Sequence, residues 1–264
     1  ELTDAAAERS AAAGCIQLAE DSVCEYLRSN IALMEKMIED GYQHPDTLRK
    51  RIEAVKEWLQ EPKLLRADEN ADYAAVIEID LAEITEPILA CPNDPDDVKL
   101  LSEVAGTPIQ DVFLGSCMTN IGHFRAAAEI WRGQKFNPAV RTWICPPTRM
   151  DQEKLKEEAY FSVYSAMGAR LEIAGCSLCM GNQARVPDGV NMFSTSTRNF
   201  DDRIGNGARV YLGSAELGAV TTNLGQLPTP AEYLAEYKEK VAPKKDEIYQ
   251  YLQFDEMTGY KKSA

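Results

Sequence analysis

Three cysteines in the chain have the surroundings of metal-ligating thiols. Cys176 and Cys179 form a C-x-x-C, which brings two sulfur atoms to one side of a tight turn. Gly175 and Gly181 flank the pair, so the backbone can fold closely around a bound group. Cys117 lies far away in the sequence, in the segment Gly-Ser-Cys-Met-Thr-Asn. We predict that the three thiolates hold an iron–sulfur cluster in which one iron has no protein sulfur ligand.

The cysteine spacing alone leaves other interpretations open. A single C-x-x-C in a reducing compartment is equally typical of a redox pair, of half a zinc site or of cysteines that are merely buried. Three sulfur ligands also suit Zn²⁺, with water as the fourth ligand. The elements that carry the cysteines must therefore decide between these alternatives.

The pattern around the cysteines is an alternation of strands and helices. Cys117 directly follows an apolar run that is typical of a short buried strand. The predicted elements are a strand at 111–116, a helix through 123–130, a strand at 141–145, a helix from about 150 to 167 and a strand at 171–174. This order predicts right-handed crossovers and a parallel sheet with flanking helices, an α/β fold. The loops after the first and last of these strands then lie at one edge of the sheet, where Cys117 can meet Cys176 and Cys179.

The remaining segments complete this organisation. We expect two helices that form a hairpin near the N-terminus, and we place a helical segment at 1–70 and the α/β domain at 71–264. The helices are predicted from Asp21 to Gly41 and from Asp46 to Pro62, because apolar residues recur there at helical spacing. The other predicted elements are a strand at 74–81, an acidic turn-rich stretch at 87–97, strands at 191–197 and 208–212, a helix that Ser214 caps, a helix that Thr229-Pro230 opens, and a peripheral helical tail from Val241.

Composition excludes several classes of protein. The chain of 264 residues has a net charge of −14, which argues against a nucleic-acid surface, because phosphate binding requires clustered Lys and Arg. No apolar run approaches the roughly 20 residues of a membrane-spanning helix. Seven cysteines without a compact framework indicate a reducing compartment, and we expect the cytoplasm, or an organelle matrix in a eukaryote. The absence of an initiator Met predicts part of a longer or processed polypeptide.

Three motifs resemble one known family. They are Gly-Ser-Cys-Met-Thr-Asn-Ile-Gly-His-Phe-Arg from Gly115, Gly-Cys-Ser-Leu-Cys-Met-Gly-Asn-Gln-Ala-Arg from Gly175, and Ser-Thr-Ser-Thr-Arg-Asn-Phe from Ser194. In this order they are similar to the bacterial B-type aconitate hydratases, and the similarity extends over nearly the whole chain. The resemblance implies the C-terminal portion of such an enzyme, with the cluster-binding third domain of the aconitase core.

The resemblance also implies residue roles. It assigns Cys117, Cys176 and Cys179 as ligands of a [4Fe–4S] cluster, and Arg198 and Arg203 as partners of substrate carboxylates. The implied activity is that of a lyase of the tricarboxylic acid cycle, which interconverts citrate and isocitrate through cis-aconitate. Thr197 departs from the Asn that other aconitases tend to carry there. The proton-transferring groups of the family have no match here. We therefore expect no catalytic residue in this chain and no turnover without the remaining aconitase domains, in the same or a separate chain.

Two other functions remain open beside this one. The chain could be a non-catalytic structural subunit, within a homodimer or a larger assembly, or an iron–sulfur sensor of iron or redox state. We predict that the cysteines outside the ligand set, Cys15, Cys24, Cys91 and Cys145, are buried thiols. His123, on a predicted helix, is expected to be a packed or solvated residue rather than a catalytic one.

Overall fold

The computed structural model of the chain describes residues Thr3, Ala6, 10–175, 179, 181, 184–257 and 259–260. They divide into two compact units. The helical unit comprises Cys15–Ile79 with Leu252–Ala264, and the sheet unit comprises Glu1–Gly14 with Asp80–Tyr251.

The helical unit contains the predicted pair of N-terminal helices. Helix α1 spans Glu20–Glu39 and helix α2 spans Pro45–Trp58. Gly41, with a φ of 77°, follows the end of α1, and Pro45 starts α2 at the position where its missing N–H costs nothing. The helices bury one apolar stripe, which includes Cys24, Leu48 and Ile52. Cys15 was predicted to be buried and is exposed, so that prediction is wrong.

The strand predicted at 74–81 is also wrong. These residues belong to no strand of the described chain, and Ile77 is 83% exposed. The β-branched pattern was real, but such residues favour a strand only where a neighbouring strand gives them hydrogen bonds and packing. The segment ends in a single 3₁₀ turn at Leu81–Glu83, which Asp80 caps by accepting a hydrogen bond from the Ala82 N–H.

The sheet unit is built on a seven-stranded sheet with the order β2-β1-β7-β6-β3-β4-β5 among the described residues. The strands are β1 (Ile88–Ala90), β2 (Val98–Leu100), β3 (Asp111–Gly115), β4 (Arg141–Cys145), β5 (Arg170–Leu171), β6 (Asn191–Ser194) and β7 (Arg209–Leu212). The five strands from β7 to β5 are parallel, whereas β1 pairs antiparallel with both β7 and β2.

Helices flank this sheet. They are α3 (Leu101–Val104), α4 (Ile121–Trp131), α5 (Arg149–Glu157), α6 (Tyr160–Ala166), α7 (Ala215–Leu224), α8 (Pro230–Glu236) and α9 (Lys245–Ile248). A π-helical turn at Tyr237–Val241 and a 3₁₀ turn at Ala242–Lys244 lie between the last two. No helix in the described part of the chain is long and apolar enough to cross a membrane.

The predicted α/β fold is confirmed, with differences at the margins of the sheet. The antiparallel strands β1 and β2 were missed, because each is three residues long and lies in a stretch rich in turn residues. The helix predicted from 150 to 167 is two helices, because Ala159 adopts a left-handed φ of 62° between them. Strand β5 is shorter than the predicted 171–174.

The centre of the sheet determines where a site can form. All five residues of β3 are buried, and α7 packs on that strand beside α4. The indole N–H of Trp131 in α4 donates to the Ala219 carbonyl of α7, at 3.0 Å. A Cβ at Gly218 would lie 2.8 Å from the Leu114 side chain, so glycine allows α7 to approach β3 closely. Helix α7 therefore packs closely on β3, the strand that precedes the Cys117 turn.

Candidate cluster and carboxylate site

Cys117 lies where β3 turns into α4, at the carboxyl edge of the parallel strands. Ser116, directly before it, is fully buried with a φ of 118°, a backbone conformation that non-glycine residues rarely adopt. A Cβ at Gly115 would lie 2.8 Å from the Cys145 carbonyl oxygen. Asn120 caps α4 by accepting a hydrogen bond from the Gly122 N–H, at 2.9 Å. The strained turn leaves the Cys117 side chain exposed at the sheet edge.

Hydroxyl groups connect this turn to the loop after β6. The Thr195 Oγ1 accepts from the Gly115 N–H at 2.8 Å and donates to the Gly115 carbonyl at 2.7 Å. The Thr119 hydroxyl also donates to that carbonyl, at 2.7 Å. The backbone of Gly115 is thus satisfied from two loops, which fixes the start of the Cys117 turn relative to β6.

The stretch that leads to the other two cysteines follows β5 and contacts the end of β4. The Gly175 N–H donates to the Pro146 carbonyl at 3.0 Å. The buried Cys145 thiol lies 3.1 Å from the Gly175 carbonyl oxygen and 3.2 Å from that of Ile173, so its S–H donates to this stretch. Cys176, one of the predicted ligands, lies outside the described residues. Because β4 and β3 are parallel neighbours, this turn begins at the same sheet edge as the Cys117 turn.

Cys179 is 7% exposed and packs in an apolar cluster with Phe113, Trp143 and Ile204. Neither Cys117 nor Cys179 is in a disulfide. Among the described residues no group of three His, Cys, Asp or Glu side chains is placed to hold a metal ion, and Cys176 is not among them. The two described candidate donors, Cys117 and Cys179, are cysteine thiols, which are the ligand type of iron–sulfur clusters.

The two predicted substrate arginines lie on the loop after β6. Arg203 is partly buried, and its Nε–H donates to the Cys179 carbonyl at 2.7 Å. Arg198 is also partly buried, and its carbonyl accepts from the Ser196 hydroxyl at 3.2 Å. Between them Asn199 is fully buried and donates to the Cys91 carbonyl at 2.7 Å. The structure therefore brings Arg203 to the cysteine turn and anchors the loop of Arg198.

A cleft of about 340 Å³ opens beside these loops. Hydroxyl groups and one imidazole account for most of its polar lining, which includes Thr119, His123, Thr195, Ser196 and Ser214. Since Thr119 follows Cys117 by two positions and Ser196 precedes Arg198 by two, the cleft adjoins the predicted cluster and carboxylate positions.

His123 in this cleft contacts Glu216 and also Tyr249, whose ring centroid lies 5.9 Å from that of the imidazole, and the sequence predicted neither contact. Its Nδ1 lies 3.3 Å from the Glu216 carboxylate, and the Tyr249 hydroxyl donates to the same oxygen at 2.7 Å. Burial raises the pKa of Glu216, but the hydrogen bond and charge of His123 and the Tyr249 hydroxyl outweigh it, so that the pKa is lowered overall. Burial and the neighbouring Glu216 raise the pKa of Tyr249. No local motif marks this group, because its members lie 93 and 33 positions apart.

Comparison with known proteins shows which proteins this chain is similar to. The model of the aconitase family (aconitate hydratase) matches residues 99–225. The chain is 59% identical to aconitate hydratase B of Synechocystis sp. over 260 residues, which are 98% of this chain and 30% of that protein. It is 54% identical to aconitate hydratase B of Escherichia coli over 264 residues, again 30% of the relative. A 3-isopropylmalate dehydratase large subunit of Sulfurihydrogenibium sp. is 34% identical over 77% of this chain and 46% of that subunit. The chain thus spans about 30% of the length of the aconitate hydratases that it matches.

Proposed function

The chain belongs to the aconitase family, and on that premise we propose that it forms the part of an aconitate hydratase that holds a [4Fe–4S] cluster and binds substrate carboxylates. The observation that supports this most directly is the common sheet edge of the two cysteine turns. Cys117 lies two residues after β3, and Gly175, the residue before Cys176 in the sequence, donates its N–H to Pro146, the residue after β4, which is the parallel neighbour of β3.

In this proposal the three thiolates are the only protein ligands of the cluster. A [4Fe–4S] cluster with three cysteine ligands supplies one iron that can act as a Lewis acid toward a hydroxyl or carboxylate oxygen. The contribution of the chain is to hold the thiolates on one edge, with Ser116 and Gly175 in the backbone conformations that their turns require.

Arg198 and Arg203 are proposed to bind carboxylates of citrate, isocitrate and cis-aconitate. A guanidinium forks onto a carboxylate with two parallel hydrogen bonds, which gives orientation as well as affinity. The Nε–H of Arg203 is already bound to the Cys179 carbonyl, so its terminal amino groups are the ones that can meet a substrate. Proton transfer is proposed to come from the remaining aconitase domains.

The experiment is anaerobic reconstitution of the 264-residue chain with iron and sulfide. We expect a broad brown absorbance and about four irons per chain. Substitution of Cys117, Cys176 or Cys179 by Ser should abolish both. Cys15→Ser is the matched control for Cys117, because both thiols are exposed, and it should retain the cluster. One zinc per chain without sulfide would refute the proposal.

A further inference from the structure

The contact between Arg203 and Cys179 involves the main chain of the cysteine. The donor is the Nε–H and the acceptor is the Cys179 carbonyl oxygen, at 2.7 Å. The guanidinium therefore holds the backbone of the turn rather than its thiol. Both groups of this hydrogen bond belong to the chain itself. It gives Arg203 a task that the binding of carboxylates does not include.

Other contacts show that the turn packs against the segment that starts at Arg203. Gly181 has a φ of 65°, and a Cβ there would lie 2.1 Å from the Arg203 carbonyl oxygen. The Val186 N–H donates to the Ile204 carbonyl at 2.8 Å, and a Cβ at Gly205 would lie 2.8 Å from Val186. Ile204 also belongs to the apolar cluster that buries Cys179. The segment 203–205 thus forms one wall of the turn, and Arg203 is the member of it that reaches the turn with a charged donor.

We propose that Arg203 is a positioning residue for the cysteine turn, which keeps Cys179 in its buried place in the absence of any ligand. Among the described residues its terminal amino groups have no hydrogen-bond partner, so the same side chain can hold the turn through Nε and a carboxylate through its other nitrogens. The consequence of this positioning for a cluster rests on the function proposed above, whereas its effect on the turn itself is independent of that function.

Side-chain geometry provides variants that separate the two tasks. The amide nitrogen of Gln is the same number of bonds from Cβ as the Nε of Arg, so Arg203→Gln keeps an N–H donor at that position and loses the guanidinium fork. Arg203→Met places a carbon there and loses both. Arg203→Lys also places a carbon at the Nε position but keeps the positive charge, and it replaces the Met variant if that one fails to fold.

The readout is the rate at which iodoacetamide alkylates Cys179 in the cluster-free chain. It is measured in a Cys176→Ser background, because Cys176 and Cys179 share the tryptic peptide 171–185. Cys179 is 7% exposed, so alkylation requires local opening of the turn. We expect Arg203→Met to react on the order of tenfold faster than the parent, since a charged donor to a backbone carbonyl is lost. Arg203→Gln should react at an intermediate rate, about threefold faster than the parent, because a neutral N–H replaces the charged donor.

Arg209→Gln is the control, because Arg209 is exposed at the start of β7, at the opposite ends of the parallel strands. The proposal is overturned if Arg203→Met and the parent react at the same rate, or if Arg203→Gln reacts as fast as Arg203→Met. In the reconstituted chain with Cys176 intact, Arg203→Met should lose its cluster in air several-fold faster than Arg203→Gln, while both bind citrate weakly. Failure of the parent chain to take up any cluster would refute the proposed function, and the alkylation series would still decide the role of Arg203.

Discussion

Glu216 should contribute strongly to the stability of the sheet unit, and Glu216→Gln tests this. The Glu216 side chain is 5% exposed and accepts hydrogen bonds from His123, at 3.3 Å, and from Tyr249, at 2.7 Å. Gln keeps an oxygen for Tyr249 but turns that bond into a neutral one, worth about 1 kcal/mol, and removes the charge beside His123. Since hydrogen bonds to charged groups contribute about 1.5–3 kcal/mol each, we expect a loss of about 2 kcal/mol in the free energy of unfolding at pH 7.

The same variant should reveal a defined pH dependence. The folded state lowers the pKa of Glu216, whereas the unfolded chain has the ordinary value of about 4.3. A depressed folded-state pKa means that the stabilisation is complete above the unfolded value and is lost as the pH falls through the folded value. The difference between parent and Glu216→Gln should therefore be present near pH 5 and shrink below about pH 4.

Urea unfolding followed by tryptophan fluorescence measures this difference. Trp131 and Trp143 are both buried in the sheet unit, and Trp58→Phe removes the signal of the helical unit. Glu247→Gln serves as control, because Glu247 is an exposed glutamate of the same unit and should change the free energy of unfolding by less than about 0.5 kcal/mol. Equal stabilities of the parent and Glu216→Gln at pH 7 would refute the reasoning, as would a difference that persists undiminished at low pH.

Two further predictions concern the turns that hold the cysteines. Cys145→Ala removes the thiol donor to the Gly175 carbonyl, so the reconstituted chain should lose its brown absorbance in air several-fold faster than the parent. Cys145→Ser keeps a donor and should retain about four irons per chain. Equal decay of the two variants would contradict this prediction. Gly181→Ala places a Cβ 2.1 Å from the Arg203 carbonyl oxygen and forces alanine into a positive φ, which costs about 1–2 kcal/mol. The variant should therefore have a lower iron content after reconstitution. Gly189→Ala has a similar φ of 71° and nothing within 4 Å of the added Cβ, so it should retain the iron, and an equal loss in both variants would exclude the clash as the cause.

The sequence predicted the central strands well because burial alone determines them. β3 contains the apolar run 112–114 and β4 the apolar run 143–145, each followed by turn residues, and such runs form the buried middle of a parallel sheet. β1 and β2 depend instead on pairing with β7 and with each other, which no local pattern records. The exposed segment 74–81 is the converse case, since it has the composition of a strand and no neighbouring strand among the described residues.

The candidate site likewise combines a feature that the sequence predicted with contacts that it did not predict. The position of Cys117 followed from a strand, a turn and a helix that are adjacent in the sequence. The contact of Arg203 with Cys179 joins residues 24 positions apart, and the pair of His123 and Glu216 joins residues 93 apart. Side chains that meet across loops depend on the packing of the whole sheet edge, and periodicity carries no information about them.

The polar contacts at this edge converge on the backbone of the loops. Thr195 holds both backbone groups of Gly115, the Cys145 thiol points to the Gly175 carbonyl, and Arg203 holds the Cys179 carbonyl. Each contact fixes a residue at, or within two positions of, a proposed ligand, and each is made between groups of the chain itself. A site whose loops are ordered in advance loses less conformational entropy when it binds its ligand. The residues that surround the proposed ligands therefore influence how tightly a cluster is held, although none of their side chains need touch it.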